Sequence, residues 1–120
     1  LKKNIDFCKK RKQGNKSIIE NQAISNRIAD MTVKFETSKL LLKEIAEEIR
    51  NKKNTYYMSS VAKLYISESI VANSLDSMRN MGTLGYMTEY QNEQDLRDSL
   101  GSLFYSGTSD IQRNIIASMI

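Results

Sequence analysis

The chain has 120 residues, 40% hydrophobic and 27% charged, with a formal net charge of +4. That length suits one hydrophobic core and not two. Histidine and proline are absent and there is one cysteine, which excludes histidine triads, histidine metal sites and an internal disulfide, and makes a reducing, cytoplasmic compartment the expectation.

No apolar run reaches transmembrane length and nothing reads as a signal peptide. The chain begins with Leu1, so the expectation is a piece of a longer protein. Residues 1–16 carry seven cations (Lys2, Lys3, Lys9, Lys10, Arg11, Lys12, Lys16) against Asp6, a net +6 that leaves −2 for the rest. Such an arm suits a nucleic acid, a membrane surface, nucleotide phosphates or plain solvent. The aromatics and motifs of a nucleic-acid module are missing, so that partner is not expected.

Residues 1–12 read as the last turns of a helix, with Ile5 and Cys8 on one side. Gln13-Gly14-Asn15-Lys16 breaks it. Ser17 and Glu20 match a capping box opening a helix of roughly thirty residues, about 45 Å long. Its apolar seam is Ile24, Ile28, Met31, Phe35, Ser38, Leu42, Ile45 and Ile49, in steps of four and three. After a turn at residues 51–54 a second long helix carries Tyr57, Val61, Leu64, Glu68, Val71, Leu75 and Met78 on the same spacing. The two form an antiparallel hairpin. Glu68, the one charge in that seam, is a candidate acid or base, or the partner of a neighbouring lysine or arginine; the paired reading weighs more.

Gly82 fits a left-handed cap ending the hairpin. Thr88 and Gln91 match a box opening a short helix through Asp98. Ser109 and Gln112 match another at the start of a last helix, with Thr108 offering a second hydroxyl beside unpaired N–H groups that favour a polar or anionic ligand. No segment reads as a strand. The fold expected is all-α: a four-helix up-down bundle built on the long hairpin.

Single features are weak. Glu93, Asp95 and Asp98 suit a solvated acidic face better than a metal site, and no metal is expected. Tyr86, Tyr90 and Tyr105 suit stacking on a ring or, more commonly, packing with a bonded tip. Cys8 beside Lys9, Lys10 and Arg11 is either a reactive thiol of lowered pKa or, preferably, a small core residue.

Order and spacing are more specific. Tyr105-Ser106-Gly107-Thr108 with Ile111-Gln112-Arg113 and Ile115-Ile116-Ala117 resembles the closing Y-E-G-T-x-x-I-Q-R-x-I-I-A of the acyl-CoA dehydrogenases. Arg11 through Gln22 resembles the start of that family's C-terminal helical domain. Ala29-Asp30-Met31 with Glu36, Ala62-Lys63 with Glu68, Met81 through Tyr86, and Tyr90 with Arg97-Asp98 follow in the family's order. The resemblance covers residues 8–120. It implies a single C-terminal helical domain over 1–120, with the N-terminal helical and middle β domains absent from this chain.

It also implies FAD-dependent α,β-dehydrogenation of an acyl thioester on CoA or a carrier protein. A homodimer or homotetramer is implied too, with an electron-transfer flavoprotein as a possible acceptor. By position, Arg11 and Gln13 would approach the cofactor's pyrophosphate. Gln22, Arg79, Gly82 and Thr83 would reach the adenosine side, from the partner chain. Thr108 and Asp110 would face FAD at the terminal helix.

This chain departs from the pattern at several places. Gly14-Asn15 stands for Phe-Gly, Arg79 for glutamine and Thr83 for the second glycine. Ser106 stands where many members carry the catalytic glutamate, and a hydroxyl without a histidine is too weak a base for an α-proton. No residue here is therefore assigned as catalytic. Three readings stay open: a base on an earlier helix outside the fragment, an unusual thioester such as an acyl or aminoacyl group on a carrier protein, or a non-catalytic helical oligomerisation module. The fragment alone is expected to be inactive.

Overall fold

The computed structural model describes residues 1–120. Helix α1 (Lys2–Lys10) ends where Arg11 turns extended. A hairpin of two-residue strands follows, β1 (Lys12–Gln13) and β2 (Lys16–Ser17), with Lys12 opposite Ser17 and Gln13 opposite Lys16. Gly14 turns it at φ +62°. The expectation of no strand is therefore corrected, for two residues per strand are too few to show alternation.

The Ser17–Glu20 box does form, with the Glu20 carboxylate accepting from the Ser17 N–H at 3.0 Å. It caps a single 3₁₀ turn, Ile18–Glu20, and not the long helix. The Ser17 hydroxyl lies 2.8 Å from the carbonyls of both Cys8 and Lys9, sharing its one proton between them at the end of α1. Helix α2 (Gln22–Arg50) takes Asn21 as its cap, whose Oδ1 accepts from the Ala23 N–H.

Helix α3 (Tyr56–Met81) returns antiparallel. At 1.5 Å per residue α2 runs about 43 Å, and the pair sets the long axis of a molecule measuring 55 × 25 × 22 Å. Gly82 ends α3 at φ +60° and ψ −137°, its N–H bonded to the Met78 carbonyl. That is a glycine cap, although not in the left-handed helical region expected. Then come α4 (Thr83–Tyr86), a 3₁₀ turn at Thr88–Tyr90, α5 (Asn92–Gly101) and α6 (Ser109–Ser118).

Six α-helices thus stand where four were expected. Residues 1–12 are expected only as the last turns of a helix and residues 81–86 only as a turn, so neither α1 nor α4 is among the four. Gln91 is not the second half of a box. It sits at φ +60° between the 3₁₀ turn and α5.

Helix α3 is the centre: α1, α2, α4, α5 and α6 all pack against it. Its buried residues are Ser60, Ala62, Ser67, Ser69 and Asn80, and the predicted seam contributes none of them. A helix approached from several sides needs small residues where its neighbours come closest. In α2 the seam buries Ile28 and Met31, while Phe35, Leu42 and Ile49 on the same line are exposed.

Only five apolar residues are buried, against eight polar ones. Cys8, Ile18 and Ile28 form one cluster, flanked by Ile5, Phe7, Ile19 and Ile24. Three of the five buried serines donate to helix carbonyls. Ser67 and Ser99 donate to Lys63 and Leu96, and Ser102 donates to Ser99 at 2.6 Å. Lys63 Nζ donates to the Ser102 carbonyl at 2.8 Å, tying α3 to the end of α5.

Cys8 is fully buried. Burial pushes its thiol pKa up, and the Arg27 charge only partly offsets this; the core reading holds and the reactive one does not. A raised folded-state pKa adds stability that is fully present below the ordinary thiol value, about 8.5, and is lost as pH rises through the folded value. Thiol reagents should therefore label native Cys8 far more slowly than the unfolded chain. Substituting Cys8→Ala should flatten the loss of stability above about pH 8.5; equal labelling rates in the two states would contradict this.

Candidate functional site

The end of α1, the hairpin, and the junction of α3 with α4 enclose a groove of about 400 Å³ lined by Phe7, Arg11, Lys12, Gln13, Ile18, Met81, Thr83 and Leu84. Arg11 and Gln13 are near neighbours in sequence, whereas Thr83 arrives from the end of α3. The exposed Arg11 and Lys12 make no ion pair with any carboxylate. Free cations beside Gln13 and Thr83, over Phe7, Ile18, Met81 and Leu84, suit a ligand with a phosphate group and an apolar or planar part.

Thr108 and Asp110 line a second groove, of about 550 Å³, with Glu68, Val71, Leu103, Phe104, Ser109 and Arg113 among its walls. Thr108, not Ser109, caps α6: its Oγ1 accepts from the Ile111 N–H at 3.3 Å. Gln112 does not complete a box. Its Nε2 donates to the Ser106 carbonyl at 3.2 Å, and Gln112 is buried. The displaced Ser109 hydroxyl is buried without a partner.

The turn before α6 is held in an unusual backbone. Ser106 has φ +57° and Gly107 φ +84°. A Cβ at residue 107 would lie 2.6 Å from Gln112 Nε2, so the glycine admits the amide that grips Ser106. The Ser106 side chain is exposed.

Other expected residues lie outside the two grooves. Gln22 is exposed at the first turn of α2, and Gly82 is the exposed cap of α3. Arg79 binds Asp76 at 3.0 Å, and the same carboxylate meets Arg27 at 3.6 Å. Glu68 pairs with Arg113, which also donates to Asp110 at 3.2 Å, so its paired reading holds. Arg97 lies 3.6 Å from Glu93 and 3.9 Å from Asp98, as a solvated charged face does. Tyr86, Tyr90 and Tyr105 are exposed, contrary to the packed role preferred for them.

One feature had no sequence motif. Asn4 and Asn80 are both 4% exposed, and Asn80 Nδ2 donates to Asn4 Oδ1 at 2.8 Å. Arg27 Nη1 donates to Asn80 Oδ1 at 2.8 Å, and Asn4 Nδ2 donates to the Ser77 carbonyl at 3.0 Å. Two asparagines inside helices were the available signal, since asparagine is a poor helix former.

The sequence profile of the acyl-CoA dehydrogenase C-terminal domain matches residues 1–120. The chain belongs to the acyl-CoA dehydrogenase family. It is 38% identical over 117 residues to an L-prolyl-[peptidyl-carrier protein] dehydrogenase of Pseudomonas fluorescens, covering 98% of this chain and 31% of that protein. It is 39% identical over 116 residues to the caffeyl-CoA reductase–Etf complex subunit CarC of Acetobacterium woodii, covering 97% and 31%. The FAD complex of PigA superposes with a TM-score of 0.95 at 30% identity, over 98% of this chain and 31% of that one. The chain thus spans about a third of the length of these acyl-CoA dehydrogenase relatives, and the all-α family fold expected from the sequence is the one observed. No helix is long and apolar enough to cross a membrane.

Proposed function

We propose that this chain is the FAD-contacting C-terminal helical domain of a dehydrogenase that oxidises the α,β bond of an acyl thioester, completed by N-terminal helical and middle β domains. The observation that carries the reading is the groove of Arg11, Gln13 and Thr83 in a chain of this family. The donor set fits the cofactor: the fork of Arg11 and the charge of Lys12 suit a pyrophosphate, Gln13 and Thr83 offer neutral hydrogen bonds, and Phe7 and Leu84 offer apolar contact for a ring. Bound FAD would supply the acceptor for the hydride leaving the β-carbon.

In this reading the second groove serves the same cofactor through Thr108, Asp110 and the unpartnered Ser109 hydroxyl. Gln22, Arg79 and Gly82, lying outside both grooves, act across a subunit interface in a homodimer or homotetramer. Ser106 shapes the pocket without taking a proton, and the base lies outside these 120 residues. The carrier-protein variant is favoured by the prolyl-carrier relative, and an electron-transfer flavoprotein partner by the subunit named for an Etf complex.

The absorbance spectrum of the full-length protein tests the reading. It should purify yellow, with one FAD per subunit. A colourless protein that cannot be reconstituted with flavin would sink it and leave the helical oligomerisation module standing. Reduction of a dye by the isolated 120 residues with an acyl thioester would show that the base had been misplaced.

A further inference from the structure

The width of the Arg11 groove depends on how α1 sits on α3, because one wall continues from α1 and the other follows α3. Arg11 is joined rigidly to α1, its N–H bonded to the Phe7 carbonyl at 2.8 Å. On the opposite wall Met81 follows Asn80 directly, and Thr83 comes two residues later. Between these walls the two helices meet through the buried Asn4–Asn80 amide pair. Arg27 of α2 completes the coordination of Asn80, whose remaining N–H faces Met31 Sδ at 3.8 Å.

We propose that Asn4 and Asn80 are positioning residues for the phosphate-binding groove, holding Arg11 at the spacing from Thr83 that a flavin nucleotide's pyrophosphate requires. The inference rests on the FAD reading above. Its physical basis is that amide pairs are directional. Two leucines of similar size would fill the same space, and replacing both partners of a buried hydrogen bond by apolar groups can be nearly neutral for stability; Arg27 keeps its ion pair with Asp76 at 3.6 Å. Leucines, however, let α1 slide and rotate on α3, whereas two amides bonded to each other, to Arg27 and to a helix carbonyl accept one register. Such a pair contributes geometry more than stability, and the geometry is delivered to a side chain about two turns further along, at the end of α1.

The test uses the full-length protein stripped of flavin and titrated with FAD, following flavin fluorescence, alongside the thermal midpoint of the apoprotein. The double variant Asn4→Leu/Asn80→Leu should keep the midpoint and lose affinity about ten-fold or more, as sites do when their supporting shell is loosened. In an Arg11→Ala background the same double substitution should cost little further affinity, since the pair acts through Arg11. If the double variant does not fold, Asn4→Ser, which trims only the α1 partner, carries the same comparison.

Unchanged affinity in the folded variant overturns the proposal, as does a loss that simply adds to that of Arg11→Ala. A midpoint that falls together with affinity makes the pair merely structural and also overturns it. Wild-type protein that takes up no FAD overturns the flavin reading itself, an outcome visible before any variant is made.

Discussion

Replacing Arg11 with alanine in the full-length protein should weaken FAD binding about ten- to a hundred-fold while leaving the thermal midpoint of the apoprotein where it was. The expectation of an undisturbed fold comes from the surroundings of Arg11: it is exposed and makes no ion pair, so little within the domain depends on its charge. The expectation for affinity comes from what a free guanidinium offers a pyrophosphate. A hydrogen bond to a charged group contributes about 1.5–3 kcal/mol, which corresponds to the stated range at about 1.4 kcal/mol per factor of ten. Arg11→Lys should recover only part of the loss, because an ammonium keeps the charge but not the two-pronged geometry. Titration of the apoprotein with FAD checks all three proteins, and wild-type affinity in Arg11→Ala would remove the groove from the cofactor site.

The second large effect is on the fold. Met31 is 1% exposed and, with Cys8, one of the two side chains buried almost completely. Its carbonyl accepts from Asn73 of α3 at 3.2 Å and its sulfur faces Asn80, so it stands where α2 and α3 cross the polar network. Met31→Ala should destabilise the domain by about 2–5 kcal/mol, the usual range for emptying a buried site of this size. Met31→Leu should cost less than about 1.5 kcal/mol, since volume is nearly kept. Chemical denaturation followed by helical circular dichroism would measure both. A small effect of the alanine would mean that the helices collapse readily around the gap, and that packing at this crossing matters less than its hydrogen bonds.

Much of the architecture was legible because long helices announce themselves. Ile28 and Met31 lie on a spacing that only a helix explains, and the pattern repeats far enough in α2 and α3 to outweigh local noise. The ends were harder. Ser17-Ile18-Ile19-Glu20 satisfies a capping box whether a long helix or a single 3₁₀ turn follows, and the difference is decided by Asn21, an equally good cap. Thr108 and Ser109 are adjacent hydroxyls, and the choice between them turns on Gln112, whose amide bonds Ser106 instead of the helix start. Neither choice has a signature in the residues themselves.

The same limit applies to the site. Arg11 and Gln13 could be grouped from proximity in the chain. Thr83 joins them through the return of a hairpin, so only the family pattern suggested it, and that pattern gave no hint that these three would share a groove without Gln22 or Arg79. The Asn4–Asn80 contact is a meeting of residues 76 positions apart, and a single asparagine in a helix is too common to predict one.

The serine- and asparagine-rich interior around α3 also bears on how the domain responds to temperature. Exposing apolar surface to water raises heat capacity, and exposing polar surface lowers it. An interior holding Ser60, Ser67, Ser69, Ser99, Ser102, Asn4 and Asn80 beside few apolar side chains therefore gives a smaller increment on unfolding than an oily one of equal length. The stability curve of such a domain is correspondingly less bent: for a given unfolding enthalpy it goes on gaining stability further below its melting point, and it is slow to lose it in the cold.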